Sequence, residues 1–153
     1  ILFEYSANQF SKVIKRILIR SDQHSERLVA VLTPNNVVRK KYVNELRSIE
    51  IELDNGRPLI ETYSNTARSQ ISFDQGGIIV INAKSCKGLE FDTVFIADIN
   101  KFGFWPEIAD QQRRLFYVMV ARAIDRVIIL KEKGENCKID EIIPQNPELL
   151  DRK

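Results

Sequence analysis

Cysteine and histidine are nearly absent from this chain of 153 residues: it has two cysteines, Cys86 and Cys137, and one histidine, His24. Two cysteines make no disulfide framework, and their spacing beside a single histidine is not that of a zinc site. A reduced, cytoplasmic protein with no structural metal is the expectation. No apolar run approaches the ~20 residues that cross a bilayer. No charged leader followed by an apolar segment and a small-residue cleavage site is present either, so neither membrane insertion nor secretion is expected. An excess of one charge is lacking too. Charged residues make up 29% of the chain, yet the formal net charge is only +2, and a pI near 8.6 permits an anionic partner without arguing for one.

Catalytic signatures are also missing. The phosphate cradle Gly-x-x-x-x-Gly-Lys-Ser/Thr occurs nowhere: Gly76-Gly77 is not followed by Lys-Ser, and Lys87-Gly88 has the order reversed. There is no Gly-x-Gly-x-x-Gly, no Gly-x-Ser-x-Gly and no His-Glu-x-x-His. By its residues alone the chain is not a complete nucleotidase, hydrolase or metalloenzyme.

What is present is apolar material for one ordinary core, 44% of the residues. Phe10, Val13, Ile14, Ile17 and Leu18 recur at helical spacing and predict an amphipathic helix from about Asn8 to Arg20. Leu28 to Leu32 reads as a strand, closed by Thr33-Pro34-Asn35-Asn36. A second amphipathic helix follows, carried by Val38, Tyr42, Val43 and Leu46 and ending near Arg47. The run Arg39-Lys40-Lys41 reads chiefly as a solvated face, with phosphate contact the alternative. Ile49 to Leu53 alternates apolar and acidic residues and predicts an edge strand. Asp54 to Pro58 predicts a turn, Leu59 to Tyr63 another strand, and Ser64 to Gln75 a polar segment without a clear pattern. Lys131 to Asn136 reads as a charged loop and Leu149-Leu150 as part of a short helix.

The chain's centre is Ile78 to Leu130. An apolar run (Ile78 to Ile81) enters the polar turn Lys87-Gly88-Leu89-Glu90, and a second (Val94 to Ala97) leaves it. An amphipathic stretch, Arg113 to Ala123, precedes a third apolar strand, Val127 to Leu130. Strands alternating with helices, the central strands apolar on both faces, predict an α/β fold: a mainly parallel sheet covered by helices on both faces. In such folds ligands gather at the carboxyl ends of strands. Lys87, Glu90, Arg113, Arg114 and Arg122 border the apolar runs. They are either surface ion pairs, or the cations among them serve a phosphate that another unit supplies.

The segment Ile79-Val80-Ile81-Asn82-Ala83-Lys84-Ser85-Cys86-Lys87-Gly88-Leu89-Glu90-Phe91-Asp92-Thr93-Val94-Phe95-Ile96 resembles motif V of the superfamily 1 UvrD/Rep-type DNA helicases. Arg113-Arg114-Leu115-Phe116-Tyr117-Val118-Met119-Val120-Ala121-Arg122-Ala123 resembles their motif VI, and Phe102-Gly103-Phe104-Trp105-Pro106 sits where that family has a Gly- and Pro-containing segment. The resemblance implies a RecA-like fold lacking its own phosphate-binding loop: the C-terminal motor lobe of an ATP-dependent DNA helicase or translocase. It also implies that residues 1–153 are a single domain of a longer chain, whose N-terminal RecA-like lobe holds the phosphate loop and the Mg2+ of ATP. The implied partners are single-stranded DNA and that lobe. The isolated fragment is expected to hydrolyse nothing.

Position by position, Arg122 is the implied arginine finger and catalytic residue. Lys87, Gly88, Glu90 and Arg122 are the implied nucleotide-binding residues: Lys87 near the γ-phosphate, Glu90 accepting from the ribose, Gly88 allowing the backbone to turn. Arg114 and Tyr117 are implied as supporting, packing positions. Asn82 and Lys84 stand where the family has its DNA-associated Thr and His. Ala121 replaces a Thr, Gln111-Gln112 an acidic pair, and Glu4-Tyr5-Ser6 lacks the motif IV arginine. Too few residues separate Leu46 from Ile78 for the family's large inserted subdomain. The motor lobe is the leading reading; the changes at Asn82, Lys84 and Ala121 motivate an alternative from another class, a degenerate nucleic-acid-binding or regulatory module without ATPase activity.

Overall fold

The apolar runs form strands of one parallel sheet. The computed structural model describes residues 1–63, 76–103, 109–134 and 141–153. Among these, β1 (Leu2–Tyr5), β2 (Leu28–Thr33), β3 (Ile60–Thr62), β4 (Gly77–Asn82), β5 (Phe91–Ile96) and β6 (Ala123–Glu132) lie in the order β1-β6-β5-β2-β4-β3. Every neighbouring pair is parallel. The central strand β2 is buried at all six positions. Its side chains divide between two cores, Leu28, Ala30 and Leu32 on one face and Val29 and Val31 on the other, as the two-residue period of a strand requires. An uninterrupted apolar run is the consequence of burial on both faces.

Helices α1 (Phe10–Gln23) and α2 (Asn36–Ser48) cover one face. From α1, Val13, Ile14, Ile17 and Leu18 are fully buried there, each contributing on the order of 1.5–3 kcal/mol by burial. The other face is covered by α3 (Ala109–Val120), through Phe116 and Met119, and by Ile143 and Leu150 near the carboxyl terminus. The two helical layers confirm the predicted α/β class.

Several boundaries differ from the sequence expectation for identifiable reasons. The first helix begins at Phe10 after a 3-10 turn over Ala7–Gln9, and runs three residues past Arg20. Ser21 and Asp22 signal a loop by type, but the Asp22 carboxylate accepts the backbone N–H groups of Asp54 (2.9 Å) and Asn55 (2.8 Å), and this tertiary contact holds the last turn. Ile49 to Leu53 is not a strand. Arg57 donates to the carbonyls of Leu46 and Ile49 at the end of α2, and Ile51 and Leu53 pack half-buried beside the helices. The sheet position next to β4 belongs to β3 instead.

Lys131 and Glu132 continue β6 rather than starting a loop. Leu149-Leu150 closes a single turn on the Asn146 carbonyl rather than a helix. Beyond it Asp151 to Lys153 run beside β1, where Leu2 N–H donates to Asp151 O and Lys153 N–H to Leu2 O, covering part of an otherwise unpaired edge. The polar segment Ser64 to Gln75 lies outside the described residues, as do Phe104 to Pro106 and Cys137.

Because all strands run the same way, the sheet has an amino edge and a carboxyl edge. Six residues at ~3.3 Å each separate the two by about 20 Å. No described helix is long and apolar enough to cross a membrane.

Candidate functional site

The sequence-predicted residues divide between the two edges. Asn82 ends β4 at the carboxyl edge, with Lys84 exposed in the 3-10 turn that follows (Ala83–Ser85). The chain then returns along the sheet in the eight residues 83–90, too few for a crossover helix, and enters β5 at Phe91. Lys87, Gly88 and Glu90 therefore lie toward the amino end of β5. Arg122 immediately precedes β6, and its carbonyl accepts the Phe91 N–H at 2.8 Å. The rule that ligands gather at carboxyl ends places only Asn82 and Lys84; the other group is at the opposite edge.

At the amino edge a tight turn sets the geometry. Leu89 N–H donates to Cys86 O at 3.1 Å across Lys87-Gly88, and Gly88 has φ +83°. With Lys87 at negative φ, this is a type II turn, whose third position calls for glycine. A Cβ on Gly88 would meet nothing within 4 Å, so the glycine serves the turn rather than a close approach. The turn directs the Leu89 carbonyl at Arg122, whose Nη1 donates to it at 3.3 Å while Nε donates to Val118 O at 3.2 Å. The guanidinium is half-buried, with Nη2 free of any hydrogen bond to a described residue.

One further irregularity adjoins Arg122. Phe91 pairs with Ala123 but Thr93 with Arg126, so β6 carries one extra residue there. Bulges of this kind re-aim side chains and sharpen the local twist. This one turns Asp125 toward Arg20 (2.8 Å) and Arg27 (3.4 Å). Cys86 is buried beneath the same turn; burial pushes its thiol pKa up, with the Arg122 charge acting against that.

Lys87 and Glu90 are exposed, and neither forms a hydrogen bond or ion pair with a described residue. Arg113 and Arg114, exposed on α3, have none either. The surface ion-pair reading of this group therefore finds no support among the described residues. Tyr117 is not a packing residue: it is 70% exposed, and the buried aromatic of that helix is Phe116. Both arginines and Tyr117 instead form an open face of α3.

The carboxyl edge holds a polar network that the sequence reading missed. The Thr33 hydroxyl donates to Asn82 Oδ1 (2.9 Å), and Asn82 Nδ2 donates to Asn36 Oδ1 (2.8 Å). Asn36 Oδ1 also accepts from Arg39 Nε (3.3 Å), and Arg39 Nη1 reaches the Thr62 hydroxyl. Arg39, read as part of a solvated run, is only 6% exposed. Its signal was positional: it lies one helical turn from Asn36, on the face of α2 turned to β3. The adjacent Lys40 and Lys41 are exposed, as expected. Asn35, extended at the N-cap of α2, accepts the Val38 N–H at 3.0 Å.

A second buried network lies on the same side of the sheet. Asp98, fully buried and left-handed at φ 46°, accepts from Tyr5 and from Tyr42 (2.7 Å) on Oδ1, and from Lys101 (3.1 Å) on Oδ2. Burial and the Asp98 carboxylate raise the pKa of both phenols. Lys101 also pairs with Glu132 at 2.9 Å. The cluster ties the ends of β1, β5 and β6 to α2.

The family described as UvrD-like helicase C-terminal domain matches residues 77–130, the segment from β4 through the last buried residue of β6. Among solved structures, the C-terminal domain of a possible DNA helicase from Lactobacillus plantarum WCFS1 superposes with a TM-score of 0.65 at 16% identity, covering 94% of this chain and 79% of that one. The Hef helicase domain of Pyrococcus furiosus superposes with a TM-score of 0.49 at 18% identity, covering 88% of this chain and 27% of that one. No curated protein matches the sequence. The chain thus matches the UvrD-like helicase C-terminal domain family over residues 77–130, on an α/β, RecA-like parallel sheet with the fold of a helicase C-terminal domain.

Proposed function

We propose that this domain is the C-terminal motor lobe of an ATP-dependent DNA helicase or translocase, forming one wall of a nucleotide cleft and one part of a single-stranded DNA track. One observation carries the reading: the Lys87-Gly88 turn, the exposed Glu90 and Arg122 come together at the amino edge, inside the segment that matches the family.

The residues present fit one side of a nucleotide. Lys87 supplies for phosphate an ammonium with no partner among the described residues, and Glu90 a carboxylate, likewise without one, to accept a ribose hydroxyl. Arg122, catalytic in this reading, brings a guanidinium fixed by two carbonyls with one nitrogen to spare. Such a group stabilises negative charge that develops on transferred phosphoryl oxygens, and being held in advance it needs little reorganisation. Gly88 keeps the turn that presents the Leu89 carbonyl. The Mg2+ ligands and the phosphate cradle belong to a partner lobe, since the chain contains no cradle. ATP hydrolysis in the completed cleft supplies the free energy for opening and closing the lobes. At the other edge Asn82 and Lys84 face the DNA strand: Lys84 neutralises phosphate, and Asn82 is oriented by Thr33 and Asn36.

Arg122→Ala in the full-length protein is expected to lower DNA-stimulated ATP turnover by ~10³-fold or more, the scale of arginine fingers elsewhere. The second reading, a nucleic-acid-binding or regulatory module without ATPase activity, is favoured by one feature. The hydrogen bonds of Arg122 to Val118 and Leu89 also suit a purely structural arginine. Under that reading Arg122→Ala lowers thermal stability and leaves no ATP-linked change to measure.

A further inference from the structure

The charge of this chain is nearly balanced overall but unevenly distributed. Its first 48 residues hold nine Lys or Arg against four Asp or Glu, and the remaining 105 hold fourteen against seventeen. The excess of cations falls on β1, α1, β2 and α2, and the two helices carry most of it on the outer surface of one sheet face.

Not all of these cations are free. Arg20 and Arg27 bind Asp125, Arg39 binds Asn36 and Thr62, and Arg47 donates to Ile60 O at 2.8 Å. Lys15 borders a shallow depression shared with Glu50 and Glu52. Arg16 is stacked on the Phe3 ring, 4.1 Å from its centroid, at the β1 side of α1. Lys12, Lys40 and Lys41 remain, all exposed and none in an ion pair with a described residue. The Lys41 ammonium stands 3.8 Å from the Phe10 ring centroid, which holds it at the junction of α1 and α2. The one acid four residues away, Glu45, forms no ion pair with it.

The position of these lysines points to the partner. Lys40 follows Asn36 by four residues, so the two are neighbours on one exposed strip of α2. Asn36 is hydrogen-bonded to Asn82, the last residue of β4. A row therefore runs from Lys84 and Asn82 at the carboxyl edge, through Asn36, to Lys40, then Lys41 over Phe10 at the start of α1, with Lys12 on the outer face of α1 beyond. Both helices begin at the carboxyl edge, so this row leaves that edge and climbs onto the helical face.

We infer that Lys12, Lys40 and Lys41 bind the phosphate backbone of a nucleic acid strand as it continues from the carboxyl edge onto the outside of α1 and α2. This rests on the proposed DNA track at Asn82 and Lys84 and extends it beyond the motor cleft. Lysines on mobile stems, without a rigid hydrogen-bonding frame, suit contact with phosphate rather than with bases. An acidic protein segment matches the charge as well, but nothing connects it to the Asn82–Asn36 strip.

The test is equilibrium binding of a single-stranded oligonucleotide to the full-length protein between 50 and 200 mM salt. Wild type is compared with the triple variant Lys12→Ala, Lys40→Ala, Lys41→Ala and, separately, with Lys84→Ala; thermal denaturation checks that each is folded. Each lost single-strand phosphate contact removes ~0.7 from the slope of log K against log salt, so the triple variant should lose about 2. Over that fourfold salt range its affinity should fall about 20-fold less than that of wild type. If wild type binds, Lys84→Ala weakens binding and the triple variant keeps the wild-type slope, the inference fails and the DNA track stands. If wild type does not bind the oligonucleotide at all, both fail. If the triple variant loses affinity for poly-glutamate while its oligonucleotide slope is unchanged, the face serves an acidic protein and the inference is overturned. Should the triple variant not fold, Lys12→Gln with Lys40→Gln, which leaves Lys41 on Phe10, should lower the slope by about 1.4.

Discussion

Replacing the two tyrosines that share Asp98 should show a coupled loss of stability. Tyr5 and Tyr42 both donate to Oδ1 of a fully buried carboxylate, and Lys101 serves Oδ2. Tyr42→Phe removes one hydrogen bond to an ionised acceptor, which contributes ~1.5–3 kcal/mol. With Tyr5 still bound to the same oxygen, the lower end of that range applies to either single variant. The double variant leaves Oδ1 of the buried carboxylate with no donor among the described residues, and a charged acceptor left unsatisfied in this way costs more than about 3 kcal/mol. The interaction energy of the double-mutant cycle should therefore be positive, on the order of 1 kcal/mol.

The assay is urea unfolding of the purified protein at pH 7, followed by circular dichroism, with the four-member cycle measured together. The same network fixes an alkaline response. Both phenols have folded-state pKa values raised above the ordinary value of 10, so their contribution is fully present below pH 10 and is lost as pH rises beyond it. There the unfolded chain releases protons that the folded protein keeps, and two phenols give a slope of about −2.7 kcal/mol per pH unit. Each Phe substitution should remove about half of that slope. An additive cycle, or an alkaline slope unchanged in both single variants, would refute the shared-acceptor reasoning.

Three further outcomes follow from the backbone and caps. Gly77→Ala should destabilise strongly, because φ is +101° and the new Cβ would stand 2.8 Å from the Leu59 carbonyl; denaturant midpoints measure this. Gly88→Ala also sits at positive φ but in open space, so a smaller loss of about 1–2 kcal/mol is expected, and the motor reading adds weaker nucleotide binding measured by titration with a fluorescent ATP analogue. Asn35→Ala removes the acceptor of the Val38 N–H at the start of α2 and should cost about 1 kcal/mol, with Asn35→Asp retaining most of the stability in the same melting experiment.

The α/β class and the central strands were legible in the sequence because strands buried on both faces must be apolar at every position, as β2 is. The position of the Lys87-Gly88 turn was legible too, since only glycine suits that φ, and so was the pattern spanning Ile79 to Ala123. Other features were hidden because they depend on residues far apart in the chain. Asp22 caps a turn more than thirty residues away and so lengthens α1, Arg57 takes the carbonyls that end α2, and Arg39 disappears into a cluster with Thr62.

The sequence by itself determined which residues can carry charge to a phosphate and where the chain must turn, since residue type and local backbone preference act over a few positions. Only the tertiary structure decided which edge each residue reaches. In a parallel sheet, strand order and crossover direction separate Asn82 from Glu90 by the length of a strand and bring Arg122 to Leu89 across thirty-three positions, and long-range pairing of that kind leaves no trace in local spacing.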